Sequence, residues 1–319
     1  MDSRSALLVG SGVTVGLGLG YLLRDALSPA PPTAAVAGAA TAAWPRIGFV
    51  GCGTIASAII TGLCTLPDAA ARPARIIVSP RNAGKSAALR AAFPGAVSVA
   101  GSNQAVVDQC DVVFLCVVPQ VARRVVEALV FRREQTVISV IASLPADEVA
   151  ALVAPVPRER ICCAIPLPAV SVHKGATIIL PNPIAERIFS LLGTAVVART
   201  SKELEILLCV SCMMGPFYET CGTIADWLVA EGVPPETASD FVCGFHDTVL
   251  SEAQHRVAHV QGPAAFQELV GEQTPGGLNE ANVRDMTSAG TFATYRKALA
   301  TTLKRLRGEV ELTEIDVAE

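Results

Sequence analysis

Short apolar runs without internal charges alternate with helix-like stretches over the first two thirds of the chain. Runs of this kind are typical of parallel strands that helices cover on both faces of a sheet. Six of them predict strands, at residues 46–51, 75–79, 111–117, 136–142, 161–165 and 176–180. We therefore expect an α/β domain with a parallel sheet over residues 46–198.

The pattern becomes helical from Ser201 onward, and no strand is predicted there. Helical patterns cover residues 202–231, with an interruption at Gly215-Pro216, and then residues 235–260, 263–271 and 278–307. We expect a second, all-α domain over residues 199–308, with a tail over 309–319. The first helical stretch carries more apolar surface than one subunit is expected to cover, which favours a homodimer over a self-contained helical domain.

The amino-terminal stretch has a different character. Residues 6–23 are uncharged and reach the lower limit of a membrane-spanning length, and residues 28–43 form an Ala/Pro-rich linker. We expect residues 1–45 to be a targeting or anchoring segment outside the folded unit, and a membrane anchor and a cleaved presequence both remain open. If the protein contacts a membrane, the contact is expected only through residues 6–23.

Composition excludes some functions. A net charge of −4 offers no basic field for a phosphate backbone, so nucleic-acid binding is not expected. The ten cysteines lie in apolar stretches and do not suggest a disulfide framework, which indicates a reducing compartment: the cytoplasm or an organelle such as the mitochondrion. Neither the Cys209/Cys212 pair nor the His255/His259 pair has the context of a metal site, and no metal is predicted.

A glycine-rich loop joins the first predicted strand to a helix. In this setting the G-x-G-x-x-A pattern permits a tight turn, a close approach of backbone to a pyrophosphate, and close packing of helix on strand. An ordinary strand-to-helix turn is the alternative. The predicted cofactor-binding residues of the loop are Gly51, Cys52, Gly53, Thr54, Ile55 and Ala56.

The end of the second predicted strand bears on which cofactor is bound. An NAD-selective site would place Asp or Glu there for the ribose 2′-hydroxyl, whereas this chain has Ser79, Arg81 and Asn82. A hydroxyl and an arginine suit a 2′-phosphate. NADPH is therefore the predicted cofactor and NADH the alternative. An Arg81 that only contacts solvent would give the same sequence pattern.

A second candidate site lies between two helices of the second domain. Pro275-Gly276-Gly277 must break the helix, and the helical pattern resumes at once. The free amides and positive dipole of the new helix could hold a small carboxylate, or the segment could be only a Pro-Gly turn capped by Thr274. The predicted substrate-binding residues are Thr274, Gly276, Gly277 and Glu280.

Several motifs, in the same order, resemble those of pyrroline-5-carboxylate reductases, the NAD(P)H-dependent enzymes that make the last reduction to proline. The matching segments are residues 47–56, 79–82, 102–103, 111–119, 160–168, 174–177, 215–218, 225–232 and 274–277. The resemblance implies a Rossmann-type domain followed by a helical dimerisation domain, a homodimer or ring of dimers, and reduction of a cyclic imine. It adds Asn103, Val117 and Pro119 to the cofactor contacts.

The chain departs from the family pattern mainly at the substrate end. It has Leu167 between two prolines, Met213-Met214 before Gly215-Pro216, and Asn279 where the family supplies a threonine hydroxyl. Val118 replaces a lysine at the cofactor edge. Asn279 is the expected substrate hydrogen-bonding residue, and Tyr218 is a candidate proton donor or a core residue.

The expected function is thus NAD(P)H-dependent reduction of a C=N bond, in pyrroline-5-carboxylate or a related cyclic imine. The alternatives are a reductase of a different imine or keto substrate and a non-catalytic, dimeric NADPH-binding protein. A β-hydroxyacid dehydrogenase is disfavoured because no lysine occurs between Glu203 and Gly232.

Overall fold

The computed structural model describes residues 44–311. The predicted targeting or anchoring segment lies outside the described residues except for Trp44 and Pro45, as does the tail beyond residue 311.

Eight strands form one sheet in the order β3-β2-β1-β4-β5-β6-β7-β8. Each neighbouring pair is parallel except β6 and β7, so β7 and β8 run opposite to the other six strands. The strands are β1 Ile47–Val50, β2 Ile76–Val78, β3 Val97–Val99, β4 Val112–Leu115, β5 Thr136–Ser139, β6 Ile161–Ile165, β7 Gly175–Ile179 and β8 Gly193–Val197. The predicted α/β fold with a mainly parallel sheet is confirmed.

Two of these strands, β3 and β8, were not predicted. The three residues of β3 include the polar Ser98, so no apolar run marks the strand. β8 is only partly buried at the edge of the sheet and lacks the uninterrupted burial of the central strands. Both are edge strands, where the apolar signal is weakest.

Six helices connect the strands: α1 Thr54–Cys64, α2 Ala83–Ala92, α3 Asn103–Gln109, α4 Pro119–Glu127, α5 Ala146–Leu152 and α6 Pro183–Leu191. The core lies between these helices and the sheet. Phe49 of β1 stacks on Phe114 of β4 with ring centroids 4.6 Å apart, and Phe189 of α6 meets Phe114 edge-on. All three rings are fully buried, so β1 and β4 are held together by direct packing.

From Ser201 the described elements are helices: α7 Ser201–Ser211, α8 Met214–Ala230, α9 Pro235–His259, α10 Ala264–Gly271, α11 Leu278–Ser288 and α12 Thr291–Leu306. The first helical stretch breaks at Cys212-Met213 and not at the expected Gly215-Pro216. Pro216 lies in the first turn of α8, where backbone N–H groups have no hydrogen-bond partner within the helix. A proline, which lacks this N–H, therefore does not interrupt the helix there. The last stretch breaks at Gly290, whose φ of 79° ends α11.

The helical half leaves most of its apolar surface uncovered. α8, α11 and α12 contain no buried residue, and Tyr218, Trp227 and Phe241 are each at least 60% exposed. By length and mean hydropathy alone the stretch Ser201–Ala230 would suffice to cross a membrane. In the fold, however, α7 packs against β7 and α12, and α8 packs against α9.

Candidate functional site

A cleft lies at the carboxyl ends of β1 and β4, the two central strands of the six-stranded parallel part of the sheet. After β1 the chain turns to β2 on one side, and after β4 it turns to β5 on the other side. The two connections therefore diverge and leave a crevice between them. The crevice has a volume of about 190 Å³. Its lining comes from three loops and the first turn of α4: Gly51, Cys52, Gly53, Arg81, Asn82, Cys116, Val117, Val118 and Val121.

The two loop glycines have different requirements. Gly51 has a φ of 96°, and a Cβ there would lie 2.5 Å from the carbonyl oxygen of Cys116, so no other residue fits. Gly53 has an ordinary φ of −90°, and a Cβ there would meet open space. Gly51 is therefore required by the fold, whereas the free surface at Gly53 leaves room for a ligand.

The loop leads directly into the amino terminus of α1. Gly53 is the N-cap residue, no side chain caps the helix, and its first turn contains no acidic residue. The free N–H groups and the positive end of the helix dipole therefore face the cleft without a competing anion, which is the arrangement that binds phosphate. Ala56, a predicted cofactor residue, is fully buried in this helix and does not line the cleft.

The hydroxyl of Ser79, a predicted cofactor contact, takes part in a hydrogen bond inside the chain. Ser79 is fully buried, and its Oγ accepts a hydrogen bond from the backbone N–H of Gly51 at 3.0 Å. The hydroxyl is turned toward the glycine loop because Ser79 continues β2, whose neighbour is β1.

Arg81 and Asn82 lie on the cleft lining as predicted. Asn82 adopts the left-handed conformation, with φ 65°, and is the N-cap residue of α2. Its Oδ1 accepts a 3.4 Å hydrogen bond from the N–H of Lys85 in the first turn of that helix. Arg81 is exposed and forms no ion pair within the described residues. No carboxylate lines the cleft. The wall that Arg81 and Asn82 form is therefore cationic.

Lys85 was missed by the sequence reasoning. Its Nζ donates a 3.0 Å hydrogen bond to Oγ1 of Thr54, so a second cation bridges the first turn of α2 to the first turn of α1. The sequence could have indicated Lys85, because a lysine three residues after Asn82 lies in the first turn of a helix that begins at the cleft.

The opposite wall is apolar. Val117, Val118 and Val121 line it, and Val118, where the lysine was expected, is 60% exposed. Burial raises the pKa of the Cys116 thiol, with a smaller contribution from Cys52, so this thiol is protonated near neutral pH. Asn103 begins α3 and Pro119 begins α4, and neither lines the cleft.

The segment Thr274–Gly277 is a type II turn, and the predicted free glycine amides are engaged in it. Gly276 has a φ of 73°, and the N–H of Gly277 donates to the carbonyl of Thr274 at 2.9 Å. The carboxylate of Glu280 accepts a 2.6 Å hydrogen bond from the N–H of Gly276. The amides of Gly276 and Gly277 are therefore engaged within the chain itself, whereas no side chain caps the start of α11. A substrate carboxylate at this helix start stays a prediction.

The two predicted catalytic residues do not meet at the cleft. Asn279 donates from its side-chain amide to Oε1 of Gln273 at 2.9 Å, and Tyr218 lies beside Phe217 on α8 with 63% of its surface exposed. Neither residue lines the cleft, nor do Thr274 or Glu280. Within one chain the cofactor-side and substrate-side residues are separate.

The cysteines form no disulfide. All ten cysteines are free thiols, and burial raises the pKa of Cys110 and Cys162 to about 12. Among residues 44–311 no group of three or more His, Cys, Asp or Glu side chains could hold a metal ion.

Comparison with known proteins agrees with this geometry. Residues 46–143 match the family described as NADP oxidoreductase, coenzyme F420-dependent. The pyrroline-5-carboxylate reductase of Pseudomonas aeruginosa is 28% identical over 267 residues, which cover 80% of this chain and 93% of that protein. The Escherichia coli enzyme of the same name is 25% identical over 274 residues, 82% of this chain and 96% of that protein. The chain resembles the pyrroline-5-carboxylate reductases.

Solved structures show the same fold. The pyrroline-5-carboxylate reductase of Streptococcus pyogenes superposes with a TM-score of 0.67 at 23% identity, covering 83% of this chain and 98% of that one. The Plasmodium falciparum pyrroline carboxylate reductase, solved with NADP bound, gives a TM-score of 0.67 at 16% identity, covering 83% of this chain and 97% of that one. The resemblance to pyrroline-5-carboxylate reductases therefore includes both halves of the described chain.

The two loop glycines should respond differently to alanine. Gly51→Ala is expected to lower the free energy of unfolding by about 2 kcal/mol or more, because the left-handed backbone and the Cys116 carbonyl both oppose a Cβ. Gly53→Ala should change it by less than about 0.5 kcal/mol. Urea denaturation of the two variants measures both values, and equal losses would contradict the distinction.

Proposed function

We propose that this protein is an NADPH-dependent reductase of a C=N bond, with pyrroline-5-carboxylate or a related cyclic imine as substrate. The observation that carries the proposal is the cleft at the carboxyl ends of β1 and β4. It combines an open glycine loop, an uncapped helix amino terminus, two nearby cations and no carboxylate. This combination suits a dinucleotide with an additional phosphate.

The proposed cofactor contacts follow the wall of the cleft. The N–H groups at the start of α1 would hold the pyrophosphate, and Gly53 would allow its close approach. Arg81, assisted by Lys85, would bind the 2′-phosphate. The apolar wall of Val117, Val118 and Val121 would receive the nicotinamide ring and exclude water from it. When bound, the reduced nicotinamide supplies a hydride.

The similarity to pyrroline-5-carboxylate reductases supports an imine as the acceptor. An imine nitrogen is protonated more readily than a carbonyl oxygen, so the protein needs to supply little acid catalysis and mainly positions the two reactants. The similar proteins from Pseudomonas aeruginosa and Escherichia coli are both named pyrroline-5-carboxylate reductases, which favours a reductase over a non-catalytic NADPH-binding protein.

We further propose that a second copy of the chain completes the substrate site. The Thr274–Gly277 turn and Asn279 do not line the cleft of their own chain, and the helical half that carries them exposes aromatic side chains such as Trp227 and Phe241. Such an apolar face is typical of an obligate interface.

The 2′-phosphate assignment makes a specific prediction for the cations. Arg81→Ala should weaken NADPH binding by about tenfold or more and leave NADH binding nearly unchanged, because only NADPH carries the phosphate that Arg81 binds. Lys85→Met should also weaken NADPH binding, by a smaller factor, and should again leave NADH binding nearly unchanged. Titration calorimetry with both dinucleotides measures this, and Arg90→Ala, at the far end of α2, is the control. Equal losses for the two cofactors in Arg81→Ala would contradict the assignment.

The reaction itself is tested by mixing the full-length protein with NADPH and pyrroline-5-carboxylate and following the nicotinamide absorbance. The proposal predicts NADPH oxidation that depends on the imine and falls with Gly53→Ala, whose methyl group would occupy the pyrophosphate position. If NADPH binds by calorimetry but no cyclic imine causes its oxidation, the proposed reaction is wrong.

The dimer is tested by light scattering coupled to size-exclusion chromatography. The mass measured for the eluting protein should be twice that of the 33.1 kDa chain or another even multiple of it. Trp227→Glu should lower the measured mass, because a charge would be buried at the interface. A monomer in the unmodified protein would contradict the proposal.

A further inference from the structure

We infer that Gln273 is a positioning residue for the substrate, because it fixes the side-chain amide of Asn279 so that the oxygen of that amide faces the imine. The site would therefore receive the imine in its protonated form, as an iminium ion. The inference rests on the proposed reductase function and on the expected contact between Asn279 and the substrate.

A backbone carbonyl sets the orientation of the two side-chain amides. The Nε2 of Gln273 donates a 2.8 Å hydrogen bond to the carbonyl oxygen of Leu269, in the last turn of α10. A carbonyl can only accept, and the last carbonyls of a helix have no partner within it, so the nitrogen of Gln273 faces Leu269. The Oε1 of Gln273 is then left to accept from the Nδ2 of Asn279 at 2.9 Å. Each of the two amides is therefore held in one orientation.

An ion cluster holds the base of this chain of hydrogen bonds. Arg256 of α9 donates to the carboxylates of Glu268 and Glu272 at 2.9 and 2.8 Å. Glu268 lies in α10, and Glu272 is the C-cap residue of that helix. Gln273 follows Glu272 directly, so the cluster fixes the end of α10 against α9 and with it the backbone of Gln273.

The oxygen of Asn279 is the atom left for a ligand. The Nδ2 of Asn279 donates to Gln273, and among residues 44–311 no donor contacts its Oδ1. Asn279 is exposed in the first turn of α11. An amide oxygen can only accept a hydrogen bond, and the nitrogen of a neutral imine also only accepts, so the two do not bond. An iminium ion carries an N–H and a positive charge, and it can donate a charge-assisted hydrogen bond to this oxygen.

This arrangement suits the proposed reduction. In an iminium ion the proton is already on nitrogen. When the hydride adds to the carbon, the π electron pair of the C=N bond becomes the lone pair of the amine nitrogen, so no protein group has to deliver a proton. The positive charge on nitrogen falls during this step, so the contact with Asn279 favours the bound iminium more than the transition state. Loss of the contact should therefore raise KM more than it lowers kcat.

The test is a double-mutant cycle on the full-length protein, assayed by NADPH oxidation with pyrroline-5-carboxylate. Gln273→Met removes the amide and keeps the length of the side chain, so the amide of Asn279 can rotate. It should raise KM for the imine about fivefold, leave kcat within about twofold, and leave the Kd for NADPH unchanged. Gln267→Met, at an exposed glutamine of the same helix, is the matched control and should change none of the three.

The second arm of the cycle separates positioning from a purely structural role. Asn279→Asp places an oxygen on both branches of the side chain, so its orientation no longer matters and an iminium ion can still be held. In this background Gln273→Met should change KM by less than about twofold. If Gln273 only stabilised the end of α10, KM would rise as much in Asn279→Asp as in the unmodified protein. The melting temperature is recorded for every variant, and Gln273→Ala takes the place of the methionine variant if that one does not fold.

Two results would contradict the inference and leave the proposed function intact. One is an unchanged KM in Gln273→Met, and the other is an equal rise of KM in both backgrounds. If the unmodified protein binds NADPH but does not reduce the imine, the proposed function itself is wrong, and the role of Gln273 with it.

Discussion

The close approach of the glycine loop to the end of β4 is the constraint on which the cofactor cleft depends. Gly51 can touch the Cys116 carbonyl only without a side chain, and its left-handed φ turns the chain sharply from β1 into α1. Because the buried pair Phe49 and Phe114 holds β1 against β4, the loop has little freedom to move away. The open space at Gly53 and the free end of α1 follow from this turn.

Electrostatics then decide what the cleft can accept. Neither α1 nor α2 has an acidic residue in its first turn, and the cations Arg81 and Lys85 lie between them. An anion at this point meets two helix amino termini and two positive side chains, so the combined field favours a highly charged dinucleotide. The apolar wall on the other side of the cleft has no comparable charge, which separates a phosphate-binding half from a half suited to a flat ring.

Sequence reasoning was strongest where a local pattern determines the structure. The central strands, the G-x-G-x-x-A turn and the positions of Arg81 and Asn82 on the cleft follow from short apolar runs and glycine spacing. It failed where tertiary contacts decide. The direction of the Ser79 hydroxyl depends on β1 lying beside β2, and the contact of Lys85 with Thr54 depends on two helices converging. The occupation of the Gly276 amide by Glu280 depends on a side-chain conformation that spacing does not specify.

Asn279 and the Thr274–Gly277 turn do not line the cleft of their own chain that would hold the nicotinamide, which is why we propose that a second copy completes the substrate site. The proposed reaction transfers a hydride from NADPH to an imine carbon. The most direct measurement uses NADPH deuterated at either face of nicotinamide C4, with mass analysis of the cyclic amine formed from pyrroline-5-carboxylate. The account predicts that one of the two labelled cofactors gives a product one mass unit heavier, with deuterium on the former imine carbon. Unlabelled product from both cofactors would contradict it.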